Sequence, residues 1–283
     1  MNKHAVLVTG ASSGIGRECA LLLAKRGFQV FGGVRTTDAV ARLSDAGGAS
    51  IQPVIMDVRN ETSIRAAERM VSSGIGNDTT FSLVNNAGIT VAGPLELLET
   101  DAVREQFEVN VFGPVSVIRI FLPLLRGHRG RIVFMGSIFG KIAFPFIAPY
   151  AAAKFSLEAV ADSLALELRE SRIHVTLLEP GNISTPLWGK TKTRVIDAFS
   201  AVPPDRYAIY KESLDSLEKL TDYFSKTGIQ PIRVARTVLR ALSARRPRSR
   251  YRVGWDSQVY GRLAPLLPGR LRYWILWRIV LRR

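Results

Sequence analysis

At 283 residues the chain is longer than a small domain and within reach of one large α/β domain, and 47% hydrophobic with 22% charged residues exclude a disordered or collagen-like polymer. The single cysteine, Cys19, excludes an internal disulfide and a cysteine-cluster metal site, and His4, His128 and His174 lack metal-ligand spacing. The net charge of +15 belongs to the tail: residues 1–225 carry 24 Lys+Arg against 23 Asp+Glu, whereas residues 226–283 carry 15 against one, Asp256.

No basic, apolar, small-residue leader is expected at the start, since residues 1–5 run directly into a strand pattern. Short apolar runs at 5–9, 29–34, 51–57, 81–85, 131–136, 174–179 and 251–254 alternate with helical periodicity. This pattern predicts an α/β fold, a Rossmann-type doubly wound parallel sheet of about seven strands with helices on both faces. Residues 1–255 are read as that single domain, and 256–283 as a basic amphipathic C-terminal extension. Residues 182–226 break the alternation and are read as an insertion covering the substrate. Within it a helix is expected over 207–224, with Leu214, Leu217, Leu220 and Phe224 on one face.

The first strand runs into Thr9-Gly10-Ala11-Ser12-Ser13-Gly14-Ile15-Gly16 ahead of a helical run. Such glycines let a backbone turn approach a pyrophosphate at a helix N-terminus, although the spacing departs from the Gly-x-Gly-x-x-Gly fingerprint. A turn that merely packs strand against helix has the same composition. Arg35 ends the second strand, where an acidic residue would select NAD; a guanidinium clamps a 2′-phosphate instead, so NADP(H) is expected in preference to NAD(H). Arg17 reads as a solvated helix residue. Asp57, followed by Val58, either accepts from an adenine amino group or caps the next helix.

Tyr150 and Lys154 lie one helical turn apart, so phenol and ammonium share a face, and a fixed ammonium favours phenolate and lowers the phenol pKa. Ser137 ends the fifth strand at the carboxyl edge of the sheet, placed to polarise a substrate carbonyl.

In order, Thr9-Gly10-x3-Gly14-x-Gly16, Asn85-Asn86-Ala87-Gly88, Asn110, Ser137, Tyr150-x3-Lys154 and Pro180-Gly181-x3-Thr185 resemble the short-chain dehydrogenase/reductase family over nearly the whole chain. The stretches 27–35, 179–185 and 251–256 look like its retinol and hydroxysteroid dehydrogenase branch. The resemblance implies that Tyr150 is the general acid/base, Ser137 steadies the substrate oxygen, Lys154 holds the nicotinamide ribose and tunes Tyr150, and Asn110 supports a proton-relay water. It implies a dinucleotide site of Gly10, Ser12, Ser13, Gly14, Ile15, Gly16, Arg35, Asp57, Val58, Asn86, Ala87, Gly88, Tyr150, Lys154, Pro180, Gly181, Ile183 and Thr185, with Thr185 and the Ile183 backbone on the carboxamide. It also implies a homo-oligomer, dimer or tetramer.

Between Ser137 and Tyr150 the loop 138–149 carries Phe144, Phe146 and Ile147, which make the border of the reacting carbon apolar, and Trp188 and the Leu-rich face of the segment after Thr185 supply the other wall. Core packing explains each aromatic equally well. The expected activity is NADP-dependent interconversion of an apolar alcohol and a ketone or aldehyde, on a steroid, retinoid or long-chain lipid. A reductase of a carrier-bound acyl chain and a non-catalytic dinucleotide-sensing membrane scaffold are the alternatives. The tail run 273–281, interrupted by Arg278, falls short of the roughly 20 residues that span a bilayer. As a helix it groups Tyr273, Trp274, Trp277, Val280 and Leu281 on one side, suited to an anionic lipid surface or to packing on the domain or a partner subunit. Residues 245–252 read as an Arg-rich solvated loop. Nucleic acid is not expected as a partner, since the basic residues accompany no recognition motif; a cytoplasmic protein, peripheral on the cytoplasmic face of a membrane, is.

Overall fold

The computed structural model describes residues 3–200 and 202–281. Strands β1 (Lys3–Thr9), β2 (Gln29–Val34), β3 (Ile51–Ile55), β4 (Thr79–Asn85), β5 (Arg131–Met135), β6 (His174–Pro180) and β7 (Arg250–Val253) form one seven-stranded sheet in the order 3-2-1-4-5-6-7, parallel throughout. The helices are α1 (Gly14–Lys25), α2 (Thr37–Gly47), α3 (Glu61–Gly74), α4 (Thr100–Phe107), α5 (Gly113–Gly127), α6 (Ala148–Glu167), α7 (Pro186–Ser200), α8 (Pro204–Thr227), α9 (Pro231–Ser243), α10 (Trp255–Leu263) and α11 (Gly269–Leu281).

Strand alternation distributes the core. Ala5 and Leu7 join Phe81, Leu83, Ile132 and Phe134 on one face, against Ile64 of α3, Phe121 of α5 and Leu157 of α6. Val6 and Val8 join Val84 and Val133 on the other, against Ala20 and Leu23 of α1 and Val234 and Val238 of α9. Both faces are covered, which is why the central strands read as unbroken apolar runs. Cys19 is part of the second layer, and burial pushes its thiol up, out of reach of reactivity. The run Thr100–Gly127 is long and apolar enough to cross a membrane, yet Val117, Ile118, Phe121 and Leu125 are spent on the sheet.

The β2–β1–β4 neighbourhood is the point where the chain reverses its direction of winding, and a cleft opens there at the carboxyl ends of the strands. The insertion folds as two helices, α7 and α8, rather than the single one expected, and it is pinned at its base. Ile183 bridges Ile229, and the Ser184 N–H donates to Ile229 O at 3.0 Å. The side chains of Leu220, Phe224, Val280 and Leu281 lie outside the described residues.

One reading of the C-terminal quarter changes. Arg250 and Arg252 are not in a solvated loop; they stand in β7 and pair with the buried carboxylates of Glu158 and Glu179, Arg250 also with the exposed one of Asp162. Arg250 pairs with Glu158 at 2.9 Å, Asp162 at 2.7 Å and Glu179 at 3.3 Å, while Arg252 pairs with Glu179 at 2.8 Å. Lys141, from the loop between Ser137 and Tyr150, reaches the same Glu158 at 2.7 Å, so this buried network also ties down the loop that borders the site. Residues just past 255 are bonded to the end of β6. The carboxylate of Asp256 accepts from the Asn182 N–H at 2.6 Å, and the Ser257 hydroxyl donates to Glu179 O at 2.6 Å. The sole acid of the tail thus supports the turn that follows β6.

Candidate active site

Thr9 joins the ends of the two central strands. Its hydroxyl oxygen accepts from the N–H groups of Asn86 and Ala87, both at 2.9 Å, and fixes the start of the glycine loop against the exit of β4. The Asn86 amide donates to Thr9 O at 2.9 Å and to Gly10 O at 3.3 Å, so this side chain holds the loop's shape. Gly10 and Gly14 have φ of +67° and +55°, backbone that L side chains rarely adopt, and a Cβ on Gly10 would come within 2.8 Å of Ala87 Cα.

Gly16 does not line the cleft as expected. It lies beneath the loop, where a Cβ would meet Gly10 O at 2.3 Å and Asn86 Nδ2 at 2.4 Å. Since one of those obstacles is backbone, Gly16→Ala must lift α1 off the loop. The expected cost is about 1–3 kcal/mol of stability with at least tenfold weaker dinucleotide binding, read by thermal unfolding and by quenching of protein fluorescence with NADPH. Wild-type affinity would show that the glycine serves composition only.

The cleft, about 390 Å³, is lined by Gly10, Ser12, Ser13, Gly14 and Ile15, by Arg35, Asp57 and Val58, by Asn86, Ala87 and Gly88, and by Pro180, Gly181, Ile183 and Thr185. Asn110, Ser137, Tyr150 and Lys154 line it too. The structure adds Thr36, Arg42 and Thr90, which carry no motif; the buried Thr90 hydroxyl has no partner among the described residues. Backbone donors at the start of α1, positive φ at the glycines, two guanidiniums beyond β2 and an unpaired buried hydroxyl suit a phosphorylated dinucleotide.

Asp57 lines the cleft but is not the helix cap. Asn60, not Asp57, caps α3, accepting from the Ser63 N–H at 2.9 Å. Both Asp57 carboxylate oxygens accept from the Arg59 guanidinium, the shortest contact being 2.7 Å, and this bonding holds the carboxyl below the usual range. Arg17 is half-exposed beside Glu18 at 3.6 Å, as a solvated residue would be.

Asn110 occupies a π-helical turn, Glu108–Phe112, joining α4 to α5, an irregularity frequent at functional sites. Its amide accepts from the Ile89 N–H at 2.9 Å and donates to Ile89 O at 3.0 Å. Gln106, one turn earlier and fully buried, accepts from the Val91 N–H at 2.7 Å and donates to Ile89 O at 3.0 Å. Together they hold the segment leaving β4, with Asn110 itself at the cleft.

Ser137 follows β5, its hydroxyl accepting from the Phe139 N–H at 3.2 Å, and lines the cleft together with the Tyr150 phenol. Lys154, buried one turn beyond Tyr150, donates to Met135 O at 2.8 Å and holds its Nζ 5.6 Å from the Tyr150 ring centroid. The electrostatic balance reverses the sequence expectation. Burial pushes the Tyr150 phenol up to about 12, opposed by the Ser137 hydroxyl, and pushes the Lys154 ammonium down to about 8. A low-dielectric site disfavours both charged forms.

Phe144, Phe146 and Tyr150 pack on a cluster with Ala92, Ile147 and Leu217. Phe146 has φ of +67°, and its carbonyl accepts from the Gly93 N–H at 2.6 Å. Trp188 is outside this cluster: its indole N–H donates to Ile183 O at 3.1 Å, which anchors the start of α7 at the cleft. Leu217, from the Leu-rich face of α8, packs in that cluster with Val195 of α7.

The short chain dehydrogenase family matches residues 4–195. Retinol dehydrogenase 5 of Mus musculus is 32% identical over 272 residues, covering 94% of this chain and 85% of that protein. The 17-beta-hydroxysteroid dehydrogenase type 6 of Bos taurus is 34% identical over 284 residues, covering 96% and 87%. The crystal structure of a short chain dehydrogenase from Burkholderia cenocepacia J2315 in complex with NADP superposes with a TM-score of 0.72 at 25% identity, covering 100% of this chain and 98% of that one. With that fold and the cleft at the sheet's reversal point, the chain belongs to the short-chain dehydrogenase family, resembles its retinol and hydroxysteroid branch, and is an NAD(P)-dependent oxidoreductase.

Proposed function

We propose that the protein is an NADPH-preferring oxidoreductase that interconverts an apolar alcohol and its ketone or aldehyde, on a steroid, retinoid or long-chain lipid. The observation that carries this reading is the apolar cluster of Phe144, Phe146, Ile147 and Leu217 packed beside the one phenol at the cleft. Gly10, Ser12, Ser13 and Gly14 would hold the pyrophosphate, Arg35 and Arg42 the 2′-phosphate, and Ile183 and Thr185 the carboxamide. Bound there, the dinucleotide supplies or accepts the hydride. In the reducing direction the neutral Tyr150 phenol donates its proton to the substrate oxygen, the Ser137 hydroxyl steadies the charge that develops there, and Lys154 keeps a positive field behind the phenol. Val195, Ile147 and Leu217 keep water from the reacting carbon.

Exposed Phe112, at the end of the π-helical turn, and Phe155 and Leu166 of α6 support a homo-oligomer. The basic tail supports a cytoplasmic protein held peripherally at a membrane. Mixing protein, NADPH and a panel of ketones while following nicotinamide absorbance tests the activity. Apolar ketones are expected to be turned over at least tenfold more efficiently than small polar ones. Turnover confined to thioester-linked acyl chains would overturn the substrate assignment, and no oxidation of NADPH by any carbonyl would overturn the activity.

A further inference from the structure

The tail helix has two sides with different uses. Inward, Leu276 packs on a cluster of Ile138, Ile142 and Ala264 that also carries Phe139 and Phe144, and α11 lies against α8 of the insertion. Phe139 in turn sets its edge on Phe144 at 5.4 Å and on Tyr150 at 6.1 Å between ring centroids. The tail therefore forms part of the surround of the substrate side, one layer from the phenol.

Outward, the same helix and the turn before it expose Leu266 at 78%, Tyr273 at 65%, Trp274 at 53% and Leu271 at 45%. A soluble surface leaves single apolar side chains out, but this run of large ones is rimmed by guanidiniums. Arg278 lies over the Trp274 ring at 4.9 Å and Arg272 over Tyr273 at 5.4 Å. Indole and phenol rings with an apolar body and a polar edge favour the headgroup level of a bilayer, and stacked guanidiniums beside them favour anionic headgroups. The tail's single acid, Asp256, is turned inward onto the Asn182 N–H, so its charge is spent away from this face.

We propose that the outer face of α11 seats on an anionic lipid surface and that the apolar substrate passes from that surface to Tyr150 alongside Leu276 and Phe144. The inference rests on the apolar-substrate reading above and deepens it: the lipid phase is the store from which the substrate is drawn, and α11 both docks and flanks the entrance. An apolar ketone reaches its working concentration only in the bilayer, so an entrance beside the docked helix spares it a passage through water.

The test uses the full chain and unilamellar vesicles of phosphatidylcholine, with or without phosphatidylglycerol. Wild type is expected to sediment with the phosphatidylglycerol vesicles at least tenfold more strongly than with phosphatidylcholine alone, and less at high salt. The pairs Tyr273→Ser with Trp274→Ser, and Arg272→Glu with Arg278→Glu, are each expected to weaken that binding at least tenfold. In the same variants the KM for a ketone carried in those vesicles should rise at least tenfold, while kcat/KM for a short water-soluble ketone stays within twofold. Absence of wild-type binding, or binding untouched by both pairs, would overturn the docking. A drop of the variants to a smaller species on size exclusion would assign the face to a second copy of the chain and overturn it too. Vesicle binding without the KM split would overturn the entrance. Turnover of no ketone at all, with vesicle binding and its sensitivity to both pairs intact, would uphold the docking and remove the apolar-ketone reading instead.

Discussion

Tyr150→Phe is expected to lower turnover about a thousandfold, within the range for removing a positioned general acid and equivalent to about 4 kcal/mol of barrier. NADPH affinity should stay within about twofold. The substitution deletes one oxygen at the cleft and leaves the ring in its contact with Phe139 and its packing beside Ile147 and Leu217. Ser137 keeps its bond from the Phe139 N–H, so the 3₁₀ turn after β5 should hold. Unfolding midpoint and NADPH titration check the fold, and a single-turnover measurement reads the chemistry. Retained single-turnover rate in the variant would transfer the proton donation to another group.

The same constellation dictates the direction of the pH effect. Tyr150 at about 12 stays protonated through the whole accessible range, so its ionisation does not limit carbonyl reduction. Lys154 at about 8 is protonated below that value and loses its charge as pH rises through it. In the free enzyme, reported by kcat/KM for NADPH, the reducing reaction should be flat at neutral pH and fall above about 8. The more basic guanidinium of Lys154→Arg should carry that limb upward.

The strands were legible because both faces of the sheet are covered, which leaves little ambiguity in the runs 5–9, 81–85 and 131–136. The Tyr150–Lys154 pairing was legible because helical spacing alone puts the two on one face. What was not legible depends on burial. An i, i+4 phenol and ammonium suggest mutual stabilisation of charge, and only the surroundings show that burial disfavours both charged forms. Gln106 has no motif, and its importance lies in two hydrogen bonds to a segment fifteen and seventeen residues away in the chain. Arg250 and Arg252 looked solvated because sequence shows their charges and not Glu158 or Glu179, which come from α6 and β6. Asp256 looked like an exception to a basic tail, and it is the residue that fastens the tail to the fold.

Arg35→Asp is expected to shift the NADPH-to-NADH preference by about 100- to 1000-fold toward NADH. Arg35 lies at the end of β2, lines the cleft and is exposed, with Thr36 capping α2 immediately after it through the Ala39 N–H. A guanidinium there meets a 2′-phosphate through charge-assisted hydrogen bonds, about 1.5–3 kcal/mol for each one lost. The new carboxylate adds repulsion toward that phosphate and accepts from the ribose hydroxyls of NADH, so the two affinities move in opposite directions. Arg42 lines the same end of the cleft and limits the loss while it remains. Adding Arg42→Ala should therefore weaken NADPH by at least a further fivefold while leaving NADH nearly unchanged. Binding titrations of both dinucleotides, repeated at low and high salt, read the result, since an exposed guanidinium is screened. An unchanged ratio in the double variant would remove the assignment of the 2′-phosphate to this corner of the cleft and, with it, the NADPH preference.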